Sequence, residues 1–232
     1  MKVLVYTSIT NNHDDLKPQP KFEEDKDLEI EYRAYLDNLS TDVNIVSNWY
    51  IEPTIILFKD PKRNGQIYKI LSHLYSEGFD YTVWIDGSVV LKSSITRIIN
   101  DHMFEGSSDI ALLKHSERNC IYKESWDCKH FNLDNHIVIG KQMDFYRDVG
   151  YPSYNGLSET PLIIRRNTKN VIEFNSLWWS IICRYSKRDQ LSFDFVRWTL
   201  GTSIANIQGN IHSNDYFEIK KHQVLREHER KD

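Results

Sequence analysis

Tyr81-Thr82-Val83-Trp84-Ile85-Asp86-Gly87-Ser88 is the stretch on which the fold turns. Its first five residues form a short apolar run with β-branched and aromatic members, the composition of a buried strand. The run stops at Asp86-Gly87, a pair that breaks strands. A carboxylate at the end of a buried strand, with glycine allowing close approach, suits a divalent cation bridging a diphosphate. The same pair also ends a strand as an ordinary turn, and spacing alone leaves the two readings even.

Working outward, Lys2 to Thr7 is a second such run and reads as a buried N-terminal strand. Asn11 to Glu31 is polar and acidic, with Pro18 and Pro20, and reads as a long surface connection. Strand-like runs follow at Val43–Val46 and Thr54–Phe58. Asp60-Pro61 then leads into a helix carrying Ile67, Ile70, Leu71 and Leu74. Beyond the central stretch, Ile95, Ile98, Ile99 and Met103 suggest a helix and Asp109–Leu113 a strand. A polar helical region is expected over about 130–150 and a strand at Pro161–Ile164. Phe174, Leu177, Trp178, Ile181, Ile182 and Tyr185 give the clearest amphipathic helix. A last helix with Leu191, Phe195 and Trp198 closes at Gly201, and a charged tail begins at about 220. Strands alternate with helices, which predicts one α/β domain over residues 1–232 with a mostly parallel central sheet flanked by helices.

Composition narrows the function. The 232 residues carry 29 Lys and Arg against 33 Asp and Glu, a net charge of −4 that argues against a non-specific grip on nucleic acid. No apolar run approaches the roughly 18 residues of a membrane span, and the opening run is too short for a signal-peptide core. Cys120, Cys128 and Cys183 show no CxxC spacing, so a cytoplasmic, reducing setting is expected rather than a disulfide scaffold or zinc site. Aromatic residues reach 12%, including 6 Trp and 13 Tyr, and flat amphipathic rings suit sugar faces as well as cores.

In parallel sheets ligands bind beyond the carboxyl ends of the strands, which points at Thr7-Ser8, Asp86–Ser88 and Lys114-His115. Asp60-Pro61-Lys62-Arg63-Asn64, with Lys69 beyond it, offers cations and helix N-terminal amides to a diphosphate, or is simply a solvated basic turn. His115 to Cys120, with Glu124 further on, is either a polar site cluster or a loop holding itself together. Asp189, expected in the first turn of the last helix, reads as a capping acid or as a group that receives or orients an acceptor hydroxyl. Of the adjoining Trp178 and Trp179, one belongs in the core, and the other lines a pocket or covers the sheet.

The chain resembles the TOD1/MUCI70 glycosyltransferase-like family. The resemblance runs from Val5-Tyr6-Thr7 and Asp14-Asp15-Leu16 through Pro61 to Asn64, Tyr68 to His73 and Trp84 to Ser88. It continues through Lys114 to Tyr122, Lys141-Gln142-Met143, Gly150-Tyr151-Pro152 and Gly156 to Thr160, and closes on Leu177-Trp178-Trp179 and Ser186 to Phe193.

The resemblance implies a GT-A-like (Rossmann-like) fold that takes a nucleoside-diphosphate sugar and transfers the sugar to a glycan or glycoconjugate hydroxyl, as in polysaccharide biosynthesis. Thr7 and Ser8 would lie by the nucleotide and Arg63 and Lys69 near the phosphates, with His115 and Arg118 as further donor-binding candidates. Asp86 would hold Mn²⁺ or Mg²⁺ at the place of the Asp-x-Asp motif, whose second acid is here Ser88. From the residues alone, His212 or His222 late in the chain is either a further metal ligand or an ordinary surface or core histidine. Asp189 and Gln190 would stand near the reaction centre, with Glu159 as a third catalytic candidate. Two rivals are a non-catalytic glycan- or nucleotide-sugar-binding module of the same fold and a metal-dependent hydrolase of phosphate or amide bonds.

Overall fold

The computed structural model describes residues 1–38, 48–104, 106 and 108–220. The Val43–Val46 run, His222 and nearly all of the charged tail lie outside the described residues.

A seven-stranded sheet runs in the order β3-β2-β1-β4-β7-β6-β8. Its strands are β1 (Lys2–Ile9), β2 (Glu29–Leu36), β3 (Tyr50–Pro53), β4 (Tyr81–Ile85), β6 (Ile110–Lys114), β7 (Ser158–Arg166) and β8 (Ala205–Ile207). Neighbours pair in parallel except at β7, which runs against both β4 and β6. The mostly parallel sheet expected from the sequence is therefore present. A small ribbon of β5 (Val89–Leu91) and β9 (Phe217–Ile219) adjoins it.

Side chains alternate across the sheet with the two-residue period of a strand. Leu4 and Tyr6 of β1, Trp84 of β4 and Ile163 of β7 join one core. Val3 and Val5, Val83 and Ile85, and Leu162 and Ile164 join the other. Both faces are covered, which is why these strands read as continuous apolar runs. The first face is covered by α1 (Pro61–Ile70), α3 (Ile121–His130), α4 (His136–Asp148), α5 (Lys169–Arg184) and α6 (Phe193–Leu200), and the second by α2 (Ile95–His102) and the ribbon.

Helix ends follow local chemistry. Asp60 caps α1 by accepting the Lys62 N–H at 3.0 Å, with Pro61 in the first turn. α6 closes on Gly201 at φ +62°, the left-handed stop expected from the sequence. Trp178 is buried in the first core and donates its indole N–H to Ser192 Oγ at 2.9 Å. Trp179 packs its ring edge-on to Phe58 at 5.8 Å, outside the cleft described below, so it covers the core.

Three sequence expectations are corrected. β2 begins at Glu29, inside the stretch read as a loop and beyond it. Its charges resemble a loop but pair along and across the ladder, Arg33 with Glu31 and Glu52, and Glu29 with Lys2 at 2.7 Å. Residues 54–58 are not a strand, since β3 ends at Pro53. The Leu57 and Phe58 N–H groups donate to Asn64 Oδ1 at 3.0 and 2.8 Å, and Ile55 N–H donates to the Tyr68 hydroxyl at 2.8 Å. Side chains of α1 thus replace a neighbouring strand as their partners. Asp189 lies in a 3-10 turn, Asp189–Leu191, ahead of α6 rather than in its first turn.

Candidate functional site

From β1 the chain goes to β2 on one side and later crosses to β4 on the other, so a crevice opens at the carboxyl ends of β1 and β4. The cleft there holds about 620 Å³. Because β7 is antiparallel, its beginning lies at this same edge: Asp86 N–H donates to Pro161 O at 2.8 Å, and Glu159 and Thr160 line the wall. The N-terminus of α1 (Asp60, Pro61, Lys62) forms one side and the 187–190 segment another. That segment is pinned: Asp134 accepts from Ser186 Oγ at 2.7 Å and Lys187 N–H at 2.9 Å, and Lys187 Nζ reaches Asp60 at 2.7 Å.

At the centre is Lys69, whose side chain is only 7% exposed. Its ammonium lies 2.7 Å from Asp189 Oδ2 and 3.1 Å from Asp86 Oδ1, with the Trp84 ring 5.5 Å away. Burial alone would lower its pKa, but the Asp189 and Asp86 carboxylates outweigh that and hold it above the usual lysine value. Asp189 also accepts from Thr160 Oγ1 at 2.9 Å and from Gln190 N–H at 3.1 Å. Burial would raise its carboxyl, yet Lys69, Lys62 and Arg188 hold it far below the carboxylate range. Such a group stays ionised and is a poor proton acceptor.

Glu159 is the opposite case. It is 4% exposed and its Oε2 has no hydrogen-bond partner. Burial pushes its carboxyl up to about 7, against the pull of Arg118. His115 Nε2 sits 3.7 Å behind it, held below the usual histidine value by burial and by Arg118. The two carboxyls of this cleft therefore have values driven apart, Asp189 held ionised and Glu159 able to exchange a proton near neutral pH.

The other expected site residues are placed as follows. Ser8, Ser88 and Gln190 line the cleft, and Ser8 Oγ has no hydrogen-bond partner. Thr7 is buried within β1, behind the wall. Arg63 faces away from the cleft, donating to the carbonyls of Ile182 and, at 2.8 Å, Tyr185 at the end of α5. His115 and Arg118 stand behind Glu159, and Arg118 is tied to Glu124 and Asp127. His212 is exposed beside the cleft-lining Ile211. Thr160 and the Trp84 indole were not anticipated; strand direction, which brings Thr160 to Asp189, carries no signal in the sequence.

As a cradle for the implied Mn²⁺ or Mg²⁺ the donor set does not fit. Asp86 Oδ1 already accepts the Trp84 indole N–H at 2.7 Å and the Lys69 ammonium. Among the described residues no three His, Cys, Asp or Glu side chains are grouped to hold an ion. Gly87 does permit a close approach, but of protein: a Cβ there would meet Ile9 Cγ1 at 2.9 Å and Asp14 Cβ at 3.0 Å.

The sequence pattern of the TOD1/MUCI70, glycosyltransferase-like domain matches residues 1–228. A probable hexosyltransferase, MUCI70, of Arabidopsis thaliana is 27% identical over 148 residues, covering 60% of this chain and 26% of that protein. The alkaline ceramidase TOD1 of the same plant is 24% identical over 227 residues, covering 84% of this chain and 48% of that protein. The chain thus spans about a quarter and about half of the length of these relatives. Among solved structures, mouse xyloside xylosyltransferase 1 superposes with a TM-score of 0.49 at 10% identity, covering 89% of this chain and 85% of that one. The galactosyltransferase LgtC, in complex with donor and acceptor sugar analogues, gives 0.43 at 8% identity over 89% of this chain and 73% of that one.

Proposed function

The chain belongs to the TOD1/MUCI70 glycosyltransferase-like domain family, and on that premise we propose that it transfers a sugar from a nucleoside-diphosphate donor to a hydroxyl of a glycan or glycoconjugate. The observation that carries this reading is the Lys69–Asp189–Asp86 cluster at the strand ends, inside a cleft of a size that suits a small ligand. The diphosphate would lie beside the first turn of α1, where the Lys62 side chain lines the cleft and favours an anion. Asp189, kept ionised, would face positive charge developing at the sugar carbon. Glu159 would take the proton of the attacking hydroxyl, since its value near 7 suits a base. The reaction is then balanced: the bond from the sugar carbon to the diphosphate oxygen breaks with its electron pair on the diphosphate. The acceptor oxygen bonds that carbon, and its proton passes to Glu159.

The direct test incubates the full chain with a panel of uridine and guanosine diphosphate sugars, with and without Mn²⁺, and follows donor binding and release of the diphosphate. Binding with turnover that Asp86→Ala and Asp189→Asn each reduce supports transfer. Tight binding without turnover, in wild type and Asp189→Asn alike, identifies a binding module instead. A parallel incubation with a ceramide addresses the relative named as an alkaline ceramidase. Fatty-acid release with no use of any nucleotide sugar would replace transfer with amide hydrolysis.

A further inference from the structure

We propose that the Lys69 ammonium is the resident cation of this site, standing where the family resemblance places a divalent metal, so that turnover proceeds without one. The inference rests on the glycosyl-transfer reading above.

Four observations carry it. Lys69 occupies the space between the two carboxylates, within 3.1 Å of Asp86 and 2.7 Å of Asp189, which a metal bridging them would need. The position that would add a second acid is Ser88, a neutral hydroxyl that is itself buried. Asp86 Oδ1 is doubly committed, to the Trp84 indole as well as to Lys69, so the carboxylate is already oriented by protein donors. Finally, an ammonium has three N–H donors. Two meet Asp86 and Asp189, and the third is left for a phosphate oxygen. A charge already fixed between two carboxylates acts on the leaving diphosphate at little reorganisation cost. Lys69 keeps its proton throughout. It donates a hydrogen bond to the oxygen that receives the electron pair, while the acceptor proton goes to Glu159.

The geometry also says what removing the ammonium does. Lys69→Met leaves Asp86 and Asp189 facing one space with no cation between them, a pair of hard oxygen donors suited to Mn²⁺. The variant therefore gains the metal dependence that the wild type lacks.

The experiment has two readouts on the full chain. Mn²⁺ binding is followed by loss of the free-ion electron paramagnetic resonance signal. Turnover of the best donor in the nucleotide-sugar panel is followed in excess EDTA and in excess Mn²⁺. Wild type is expected to leave the Mn²⁺ signal free and to keep its rate in EDTA within about two-fold. Lys69→Met is expected to bind Mn²⁺, to lose about 10²–10³-fold in EDTA, the usual cost of deleting a charge stabiliser, and to regain part of that with Mn²⁺. Wild type that binds Mn²⁺ and loses turnover in EDTA overturns the inference and leaves glycosyl transfer standing. No donor bound or consumed in either condition overturns the transfer reading, and the Mn²⁺ comparison alone then decides the role of Lys69. If Lys69→Met does not fold, the wild-type arms decide it without the variant.

Discussion

The Lys69 ammonium and the Asp189 carboxylate meet at 2.7 Å with side chains 7% and 10% exposed, so a full ion pair is held almost out of water. Breaking a buried pair from one side leaves a charge without compensation and costs about 3–5 kcal/mol. The two sides are not equivalent here. Lys69 keeps Asp86 when Asp189 is neutralised, and Thr160 and the Gln190 N–H still contact the new amide. Lys69→Met is thus expected to lower unfolding free energy by about 3–5 kcal/mol and Asp189→Asn by about 1–3 kcal/mol. Urea titrations of both, with wild type alongside, measure the order. Equal losses would mean that Asp86 does not hold Lys69 once Asp189 is neutral.

The same pair fixes the pH dependence of stability. Asp189 has a folded pKa far below its unfolded value, so its contribution is complete above about pH 4 and is lost as pH falls beneath that. Lys69 has a folded pKa raised above its unfolded value, so its contribution is complete below about pH 10 and is lost as pH rises beyond it. A stability plateau between these limits is expected from the pair, and Asp189→Asn should flatten the acid limb and also weaken the alkaline one, since Asp189 is the larger of the two charges that raise Lys69. Denaturation midpoints followed across acid pH test this; an unchanged acid limb in Asp189→Asn would assign acid sensitivity to other groups.

Glu159 sets the pH dependence of the proposed reaction. Only its ionised form accepts a proton, and burial places the change near pH 7. Rates are expected to rise about ten-fold for each pH unit below that value and to level off above it. Glu159→Gln should lose both the limb and most of the rate. It should also be at least as stable as wild type at about pH 8, since a buried carboxylate with an unpaired oxygen is replaced by a neutral amide. A rate profile that keeps its limb in Glu159→Gln would move the proton step to another group.

Much of this arrangement was legible in the sequence, for specific reasons. β1, β4 and β6 are buried on both faces and so appear as unbroken apolar runs, and α5 shows its apolar stripe at helical spacing. Asp86 is recognisable as a charge at a strand end, Asp189 as one at a helix start, and Lys69 as a cation within a helix. Their meeting was not, because it depends on packing between segments far apart in the chain. Arg63 and Lys69 look equivalent as cations of one helix. Yet six residues at about 3.6 per turn set them roughly 120° apart, and only Lys69 faces the cleft while Arg63 serves the carbonyls of α5. β2 was hidden by its ion pairs, which cancel across the ladder where a sequence shows only charge.

Arg165 is a buried cation that the proposed chemistry does not use. It is fully enclosed in β7, donates to the Tyr6 hydroxyl at 3.1 Å and lies 5.8 Å from the Trp178 ring. Its Nε and Nη2 have no hydrogen-bond partner, and burial holds its pKa below the usual arginine value. Replacing such a group by an apolar side chain of similar volume is often neutral or stabilising by about 1–4 kcal/mol. Arg165→Met is expected to unfold at the same or a higher urea concentration, whereas Arg165→Ala opens a cavity and costs about 2–5 kcal/mol. Thermal and urea unfolding of the two variants separate charge from volume. A large loss in Arg165→Met would show that the guanidinium is satisfied by buried water.

Gly87 joins the carboxylate at the end of β4 to the loop that follows β1. Its contacts are steric: an added Cβ would lie 2.9 Å from Ile9 Cγ1 and 3.0 Å from Ile9 Cδ1 and Asp14 Cβ, closer than side chains pack. Ile9 belongs to the second core and is held by β1, so the loop carrying Asp14 has more freedom to yield. Asn11, His13 and Asp14 line the cleft, and their displacement would widen it beside Asp86. Gly87→Ala is therefore expected to weaken nucleotide-sugar binding by about ten-fold, an effect of about 1.4 kcal/mol, while unfolding stays cooperative. Gly78→Ala is the control. Gly78 has φ +82° with nothing within 4 Å of an added Cβ, so its cost is backbone strain of roughly 1 kcal/mol and leaves binding unchanged. Calorimetric titration with the best donor and thermal unfolding of both variants make the comparison. If Gly87→Ala binds like wild type, the loop after β1 accommodates the methyl group without shaping the cleft.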